Sequence, residues 1–383
     1  MIYFYLVFFG AAFIFSFLIN SLFLRFSRTL GIRDKKETII RWASTSKPAF
    51  GGISFYIVFL ISFASYSIFF EAQEVLLNKK IVGLLGTATL AFMMGLADDA
   101  YNTKPFLKLF VQILCGVILC YSGIHIGIFQ DMVLNYLITV LWIVGIMNSV
   151  NMLDNMDSIA AIVSIMIFSV AALLIYLSHT AQNNIHFLIL IGLIGSLSGF
   201  LIFNWHPSKL YMGDTGSQVI GLMLAAIGII YFWNDSSSLH DTIAVSKQFI
   251  IVVTAFILPI TDTTIVVVNR ITSGRSPFVG GRDHTTHNLF FRGVTEKRIA
   301  VLFGAIGFLS MVIIYYIETQ ITEWSTGQFL FFSLYPLTIF LSLFAITKMK
   351  TNVVNHSSTN GDTHAQHSIS TNGNGFHAKK NLT

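Results

Sequence analysis

Long apolar stretches separated by short polar breaks run through almost the whole chain. A helix that spans a bilayer needs about 20 mostly apolar residues. About eleven runs meet that measure, near 3–24, 50–70, 81–97, 106–123, 132–150, 159–179, 187–204, 216–233, 249–268, 299–317 and 327–347. The runs lack the strict alternation of half-buried strands, so they predict helices. The first run has no basic leader and no small-residue cleavage site, and it ends on Arg25. It reads as a retained helix rather than a removed signal peptide. After about residue 350 the apolar pattern stops, and Asn, Ser, Thr, Gly and His take over. Such a segment cannot build a core and reads as a disordered polar tail over 351–383, following a multi-pass unit over 1–350.

Composition agrees with a bilayer environment. Charged residues make up 11% of the 383 positions, against roughly 25% in soluble domains, and Phe alone contributes 36. The two cysteines, Cys115 and Cys120, lie five apart in one apolar run with no CxxC or Cys/His metal spacing. Disulfide and zinc frameworks are thereby excluded.

Charge gives an orientation. About 20 of the 23 Lys and Arg fall in alternate loops and the tail, including Arg25, Arg28, Arg33, Lys35, Lys36, Arg41 and Lys47 between the first two runs. Arg270, Arg275, Arg282, Arg292, Lys297 and Arg298 lie between the ninth and tenth. The opposite loops hold only Lys79, Lys80 and Lys247. Positive charge resists translocation, so the basic loops and the carboxyl terminus are expected in the cytoplasm and the amino terminus outside. A basic face of this kind suits anionic lipid or a phosphorylated ligand and gives no support to nucleic-acid binding. The expectation is an all-α polytopic membrane protein of about eleven transmembrane helices.

The acids sit where such a protein should avoid them. Asp98 and Asp99 end the third run in Gly95-Leu96-Ala97-Asp98-Asp99, Asp154 and Asp157 open the sixth, and Asp214 precedes the eighth in Met212-Gly213-Asp214-Thr215-Gly216. Carboxylates in a membrane cost up to roughly 3 kcal/mol each and less near the interface, so they face a polar cavity or one another. Capping of helix ends is the alternative for any one of them. Asn151, Asp154 and Asp157 recur every three residues and predict one helical stripe. Asp98 and Asp99 point about 100° apart and predict different partners. An oxygen-rich, thiol-free set suits Mg²⁺ or Mn²⁺. Gly213 and Gly216 beside Asp214 suggest a helix start open to phosphate. Arg275, Arg282, His284 and His287 in the ninth-to-tenth loop supply the opposite charge and proton-handling groups.

These motifs resemble the polyprenyl-phosphate N-acetylhexosamine-1-phosphate transferases of bacterial envelope synthesis. The resemblance runs from about residue 20 to 345, with the motifs in family order. Asp98-Asp99 with Lys108 and Gln112 is similar to the family's DDxxx segment, and Asn151 to Asp157 to its N-x-x-D-x-x-D stretch. Phe203-Asn204-Trp205-His206-Pro207 leading to Met212-Gly213-Asp214-Thr215-Gly216 resembles FNxxP followed by MGDxG. Pro259, Asp262 and Arg270 match a following helix, and Arg282-Asp283-His284-x-x-His287 resembles the histidine loop, with Thr286 where a histidine often stands.

The resemblance implies that the phosphate of undecaprenyl phosphate attacks the β-phosphorus of a UDP-N-acetylhexosamine, releasing UMP at the cytoplasmic face of a bacterial inner membrane. It implies Asp214 as main Mg²⁺ ligand, with Asn151 sharing it, and Asp98 or Asp99 as the group that positions or deprotonates the attacking phosphate. Tyr211 would stack on uracil near Asn204, Asp154 and Asp157, while Lys108, Arg282, His284 and His287 would hold phosphates. A phospho-MurNAc-pentapeptide transferase is the nearest alternative, and a homodimer stays open. A CDP-alcohol phosphatidyltransferase is disfavoured because no DGxxAR…GxxxDxxxD run occurs. A cation-coupled transporter is disfavoured because its acids should sit at mid-bilayer within an internal repeat.

Overall fold

The computed structural model describes residues 2–29, 47–70, 77–234, 242–276 and 281–349. The polar tail with its histidines, and Arg33, Lys35, Lys36 and Arg41, lie outside the described residues. Among those described, thirteen α-helices and one π turn account for the regular structure. They are α1 (Ile2–Thr29), α2 (Gly51–Phe69), α3 (Lys79–Tyr101), α4 (Pro105–Tyr121), α5 (Met132–Leu153), α6 (Ile159–Leu177) and α7 (Ile185–Asn204). Then come α8 (Gly213–Gly228) with a π turn over Ile229–Trp233, α9 (Thr242–Ala255), α10 (Ile257–Thr272), α11 (Thr285–Phe290), α12 (Glu296–Gln320) and α13 (Thr326–Lys348).

Every predicted run carries a helix, but they are not eleven equal spans. Nine helices among the described residues are long and apolar enough to cross a membrane, or ten if α9 and α10 form one span. The chain is a polytopic, all-helical membrane protein. The ninth run is broken at Phe256, where α9 and α10 bend by 77°. Pro259 accounts for the position of the break: it has no N–H to give Ala255, and it is tolerated only in the first turn of a new helix. The fourth run forms α4, only 17 residues long and started by Pro105. Four helix starts carry side-chain caps. Asn78, Asp131 and Asn184 accept from amides of α3, α5 and α7, and Ser325 and Gln328 close a capping box on α13.

α8 is the axis of the bundle. It packs against α2, α3, α5 and α6, while α1 lies along α7 and α12 along α6. With 89% of its apolar window buried inside the protein, α8 meets almost no lipid. Its amino end is therefore surrounded by helices, and a short backbone join fixes it. Tyr211 N donates to Pro48 O at 2.9 Å, while Gly51 N and Gly52 N donate to the carbonyls of Tyr211 and Met212 at 3.1 and 3.0 Å. The first free amides of α2 are thus satisfied by the segment that leads into α8.

This join requires close backbone approach at two glycines. A Cβ on Gly52 would stand 2.1 Å from Gly216 N, and one on Gly95 would stand 2.5 Å from Asp214 O. Both clashes are with backbone, which cannot rotate away. Gly52→Ala is expected to destabilise the bundle by about 1–3 kcal/mol, the usual range for overpacking. Gly86→Ala, with nothing within 4 Å of the added carbon, should be neutral within about 0.5 kcal/mol. Thermal unfolding midpoints of the purified variants in one detergent check this, and equal midpoints would contradict the crossing geometry.

Candidate active site

At one end of the bundle the starts and ends of α2, α3, α4, α5 and α8, with the segments after α7 and α10, enclose a cavity of about 430 Å³. Its wall includes Lys47, Asp99, Lys108, Asn151, Asp154, Asn155, Asp157, Asn204, Tyr211, Asp214, Arg282 and His287. Ten of the twelve residues expected from sequence therefore meet at one place. The other two, Asp98 and His284, stand just behind the wall.

Asp98 and Asp99 do serve different partners. Asp98 accepts from Thr103 N and Oγ1 at 2.9 and 2.5 Å and pairs with Lys108 Nζ at 3.1 Å. Asp99 turns the other way and caps α8. Its oxygens accept from Asp214 N, Thr215 N and Thr215 Oγ1 at 2.8, 2.9 and 2.6 Å. The start of α8 was expected to be open to a phosphate; it is filled by this carboxylate instead. Gly213 makes room for it, with φ of +74° and an ideal Cβ position only 2.8 Å from Asp99 Oδ2.

Lys108 is the hub. Its ammonium reaches Asp214 Oδ1 at 2.6 Å, Asp98 Oδ2 at 3.1 Å and Asn151 Oδ1 at 3.5 Å. Asn151 in turn donates to Asp214 Oδ1 and to Ser217 Oγ. Three side-chain oxygens thus converge on one cation already.

The predicted stripe of Asn151, Asp154 and Asp157 does not form. α5 ends at Leu153, Asp154 is its C-cap, and the chain turns through Ser158 at φ of +71° before α6. Asp157 consequently meets the segment after α7. It accepts from Ser208 N and Ser208 Oγ at 2.9 and 2.8 Å, and from His206 Nδ1 at 3.0 Å. Asn204 has a similar holding role, accepting from Ser158 N and donating to Leu210 O.

Two clamps fix the histidine loop. Arg270 forks onto Asp283 at 2.7 and 2.9 Å, and the buried carboxylate of Asp262 accepts from Thr285 N and Oγ1 and from His284 Nδ1 at 2.8 Å. His284 backs His287, their ring centroids 5.4 Å apart. Thr286 hydroxyl donates to Asn155 Oδ1 at 2.7 Å, which ties this loop to the α5–α6 turn.

Electrostatics follows from the crowding. Burial, and then the negative charges of Asp214, Asp99 and Asp157, hold the Asp154 carboxyl well above the usual carboxylate range. Burial pushes the Tyr211 phenol up to about 12, helped by Asp157. Burial also pushes the His287 imidazole down to about 4, with His284 adding to it, so His287 is neutral near pH 7. Asp283 runs the other way. Burial would raise it, but the Arg270 hydrogen bond and charge hold its carboxyl below the ordinary value.

Lys47, counted only as an orienting charge, proves to be part of the wall, with its ammonium 5.0 Å from the Tyr211 ring centre and 3.0 Å from Ser208 Oγ. Its place beside Pro48 and four residues before Gly51-Gly52 was the available signal. Glu296, 2.7 Å from His206 Nδ1, had none. Asp157, His206 and Glu296 also form a group whose ligand atoms lie within 4.8 Å of one another. Both oxygens of Asp157 already accept hydrogen bonds, so the geometry reads as a shared proton contact. The oxygens of Asp98, Asn151 and Asp214 around Lys108 are of the donor type that a hard divalent cation takes.

The sequence profile of glycosyl transferase family 4 matches residues 81–232. That stretch carries the aspartate pair, the α5–α6 turn and the whole approach to Asp214. Over this stretch the chain is similar to glycosyl transferase family 4. It is 27% identical over 312 residues to a probable undecaprenyl-phosphate N-acetylglucosaminyl 1-phosphate transferase of Bacillus subtilis, covering 78% of this chain and 79% of that one. It is 27% identical over 288 residues to the decaprenyl-phosphate N-acetylglucosaminephosphotransferase of Mycobacterium leprae, covering 67% and 70%. With the phospho-N-acetylmuramoyl-pentapeptide-transferase of Streptococcus pneumoniae it shares 30% over 228 residues, covering 54% and 66%.

The neutral His287 has a pH consequence. Its folded value near 4 lies below the unfolded imidazole value near 6.5, so the unfolded state takes up the proton first. The native state loses roughly 1 kcal/mol per pH unit as pH falls from 6.5 towards 4. His287→Gln lacks this loss, so the stability gap between wild type and variant should narrow between pH 7 and pH 5. Unfolding midpoints at the two pH values test it; a gap that widens would be the contrary result.

Proposed function

We propose that this chain transfers N-acetylhexosamine 1-phosphate from a UDP-linked sugar to undecaprenyl phosphate. A lipid phosphate oxygen forms a bond to the β-phosphorus of the donor, the bond to the bridging oxygen breaks, and UMP leaves. The observation that carries the reading is the single cavity in which carboxylates, Lys108, Arg282, His287 and a half-buried tyrosine meet at the end of a lipid-embedded bundle. Two mutually repelling phosphorylated substrates need cationic groups around them, and a polyprenyl chain needs an apolar surface. The names of the Bacillus and Mycobacterium relatives describe N-acetylglucosamine phosphate transfer involving undecaprenyl and decaprenyl phosphate, which supports the reading.

In this reading Asp214 and Asn151 would hold Mg²⁺ or Mn²⁺, which would supply positive charge against the diphosphate. Lys108, bridging Asp98 and Asp214 in this structure, turns its ammonium to phosphate when substrate enters, with Arg282 and His287 opposite. Asp98 and Asp99 position Lys108 and the start of α8. A phosphate monoester is already largely ionised near neutral pH, so the attack needs little help from a base. Tyr211 and Lys47 form the face for the uracil. His284 acts through His287 rather than by direct contact. The loop reads Asp283-His284-Thr285-Thr286-His287-Asn288, without the triple-histidine run associated with the muramoyl-pentapeptide donor, which favours UDP-GlcNAc or a close N-acetyl sugar. The site lies on the cytoplasmic face of a bacterial inner membrane, with eleven crossings if α4 and the bent α9–α10 pair each cross once.

Membranes containing the protein should release UMP from radiolabelled UDP-GlcNAc only when undecaprenyl phosphate is added. UDP-MurNAc-pentapeptide should not support turnover, and faster transfer from that donor than from any simple UDP-N-acetylhexosamine would overturn the donor assignment. Asp214→Asn should lower turnover at least roughly 10²-fold, while insertion is preserved. Chelator should abolish activity and Mg²⁺ or Mn²⁺ restore it; full activity in chelator would remove the metal from the reading.

Orientation has its own test. In a background lacking Cys115 and Cys120, a cysteine at exposed Ser273 should react with an impermeant thiol reagent only after cells are opened. One at exposed Gln182 should react in intact cells. The reverse pattern would place the cavity on the outer face, away from UDP-sugars.

A further inference from the structure

His206 follows α7 and belongs neither to the Lys108 cluster nor to the histidine loop. Its Nδ1 lies 3.0 Å from Asp157 Oδ2 and 2.7 Å from Glu296 Oε2. At these distances Nδ1 is placed to donate one hydrogen to both carboxylates. Asp157 also holds Ser208 through its amide and hydroxyl. Three contacts thereby fasten residues 206–208 to the α5–α6 turn. The segment continues through Tyr211 to the join with Gly51 and Gly52, so it is the wall that bears Tyr211 and Lys47.

Glu296 comes from a different element. It is the first residue of α12, a few residues beyond α11, which carries His287. The carboxylates of Asp157 and Glu296 are largely buried, with side-chain exposures of 7% and 11%. Neither is free to swing into water without losing its partner. One imidazole therefore links the Tyr211 wall, the α5–α6 turn and the start of α12.

We propose that His206 is a positioning residue that ties the Tyr211 wall of the cavity to the start of α12 by sharing its Nδ1 hydrogen between Asp157 and Glu296. The tie sets the separation between the face offered to the donor's nucleoside and the loop that bears Arg282 and His287. Losing it loosens donor binding more than it slows the chemical step, because Lys108, Asp98, Asn151 and Asp214 are held by a separate set of contacts. The kinetic consequence rests on the transferase reading; the tie itself does not.

The test uses the full-length protein in lipid nanodiscs with His206→Ala, Glu296→Ala, the double variant and His206→Gln, whose side-chain amide keeps two N–H donors. Hydrogen exchange read by mass spectrometry should rise over 205–212 and 291–299 in both alanine variants, and no further in the double. The KM for the UDP-sugar should rise about tenfold in each single variant, the size expected for a hydrogen bond to a charged group on a partly exposed residue. The double variant should match the singles, kcat should stay within about twofold, and His206→Gln should recover part of the loss. Unchanged exchange in His206→Ala, or additive effects in the double variant, would overturn the proposal. So would an equivalent of zinc or another transition metal bound to the wild type and lost from His206→Ala, which would mark the group as a metal site. If His206→Ala fails to fold, Glu296→Ala and His206→Gln decide by the same measures. If no UDP-sugar turns over in the wild type, the transferase reading fails, and the exchange data alone decide the tie.

Discussion

Five carboxylates gathered at one end of an apolar bundle repel one another, and the architecture around the cavity follows from how each is satisfied. Asp99 is satisfied by the free amides at the start of α8, which are short of acceptors for the opposite reason. Asp98 and Asp214 share the Lys108 ammonium. Asp157 takes the amide and hydroxyl of Ser208 together with His206. Asp154 alone is left in the field of its neighbours, and its carboxyl rises accordingly. A largely buried ion pair earns little net stability, yet removing one partner costs about 3–5 kcal/mol because it strands the other charge. That asymmetry makes Lys108 a residue the site depends on even before substrate is considered.

The scaffold that holds these groups is built from close backbone contact rather than from large side chains. Gly52 meets Gly216, and Gly95 meets the Asp214 carbonyl, so α2 and α3 press on the first turn of α8 with no side chain between. Lipid tails are as apolar as leucine, and helices in a bilayer associate through such tight packing and through hydrogen bonds. The same contacts that stabilise the bundle therefore locate Asp214 and the Asp99 cap. α8, almost wholly enclosed by protein, serves as the fixed part against which the loops are arranged.

The walls are held by side-chain contacts rather than by close backbone packing. The α5–α6 turn, the 205–212 segment and the histidine loop are joined by side-chain contacts such as Thr286 to Asn155 and His206 to Asp157 and Glu296. The Arg270–Asp283 and Asp262–His284 pairs fasten the histidine loop to α10, just beyond the 77° bend.

Much of this was legible in the chain itself. Apolar run length alone predicts the helices, because a bilayer leaves the backbone few other ways to satisfy its polar groups. Carboxylates placed at run ends predict one shared site, and ten of the twelve expected residues do meet there. What periodicity could not supply was where a helix stops. Asn151, Asp154 and Asp157 fit one stripe on paper, but α5 ends at Leu153 and Asp157 swings to His206 and Ser208. The Asp99 cap on α8, the place of Lys47 beside Tyr211 and the tie to Glu296 all join segments far apart in the chain. Spacing along a sequence reports which residues share a face of one element, whereas these contacts depend on how separate elements cross, and only the packed bundle decides that.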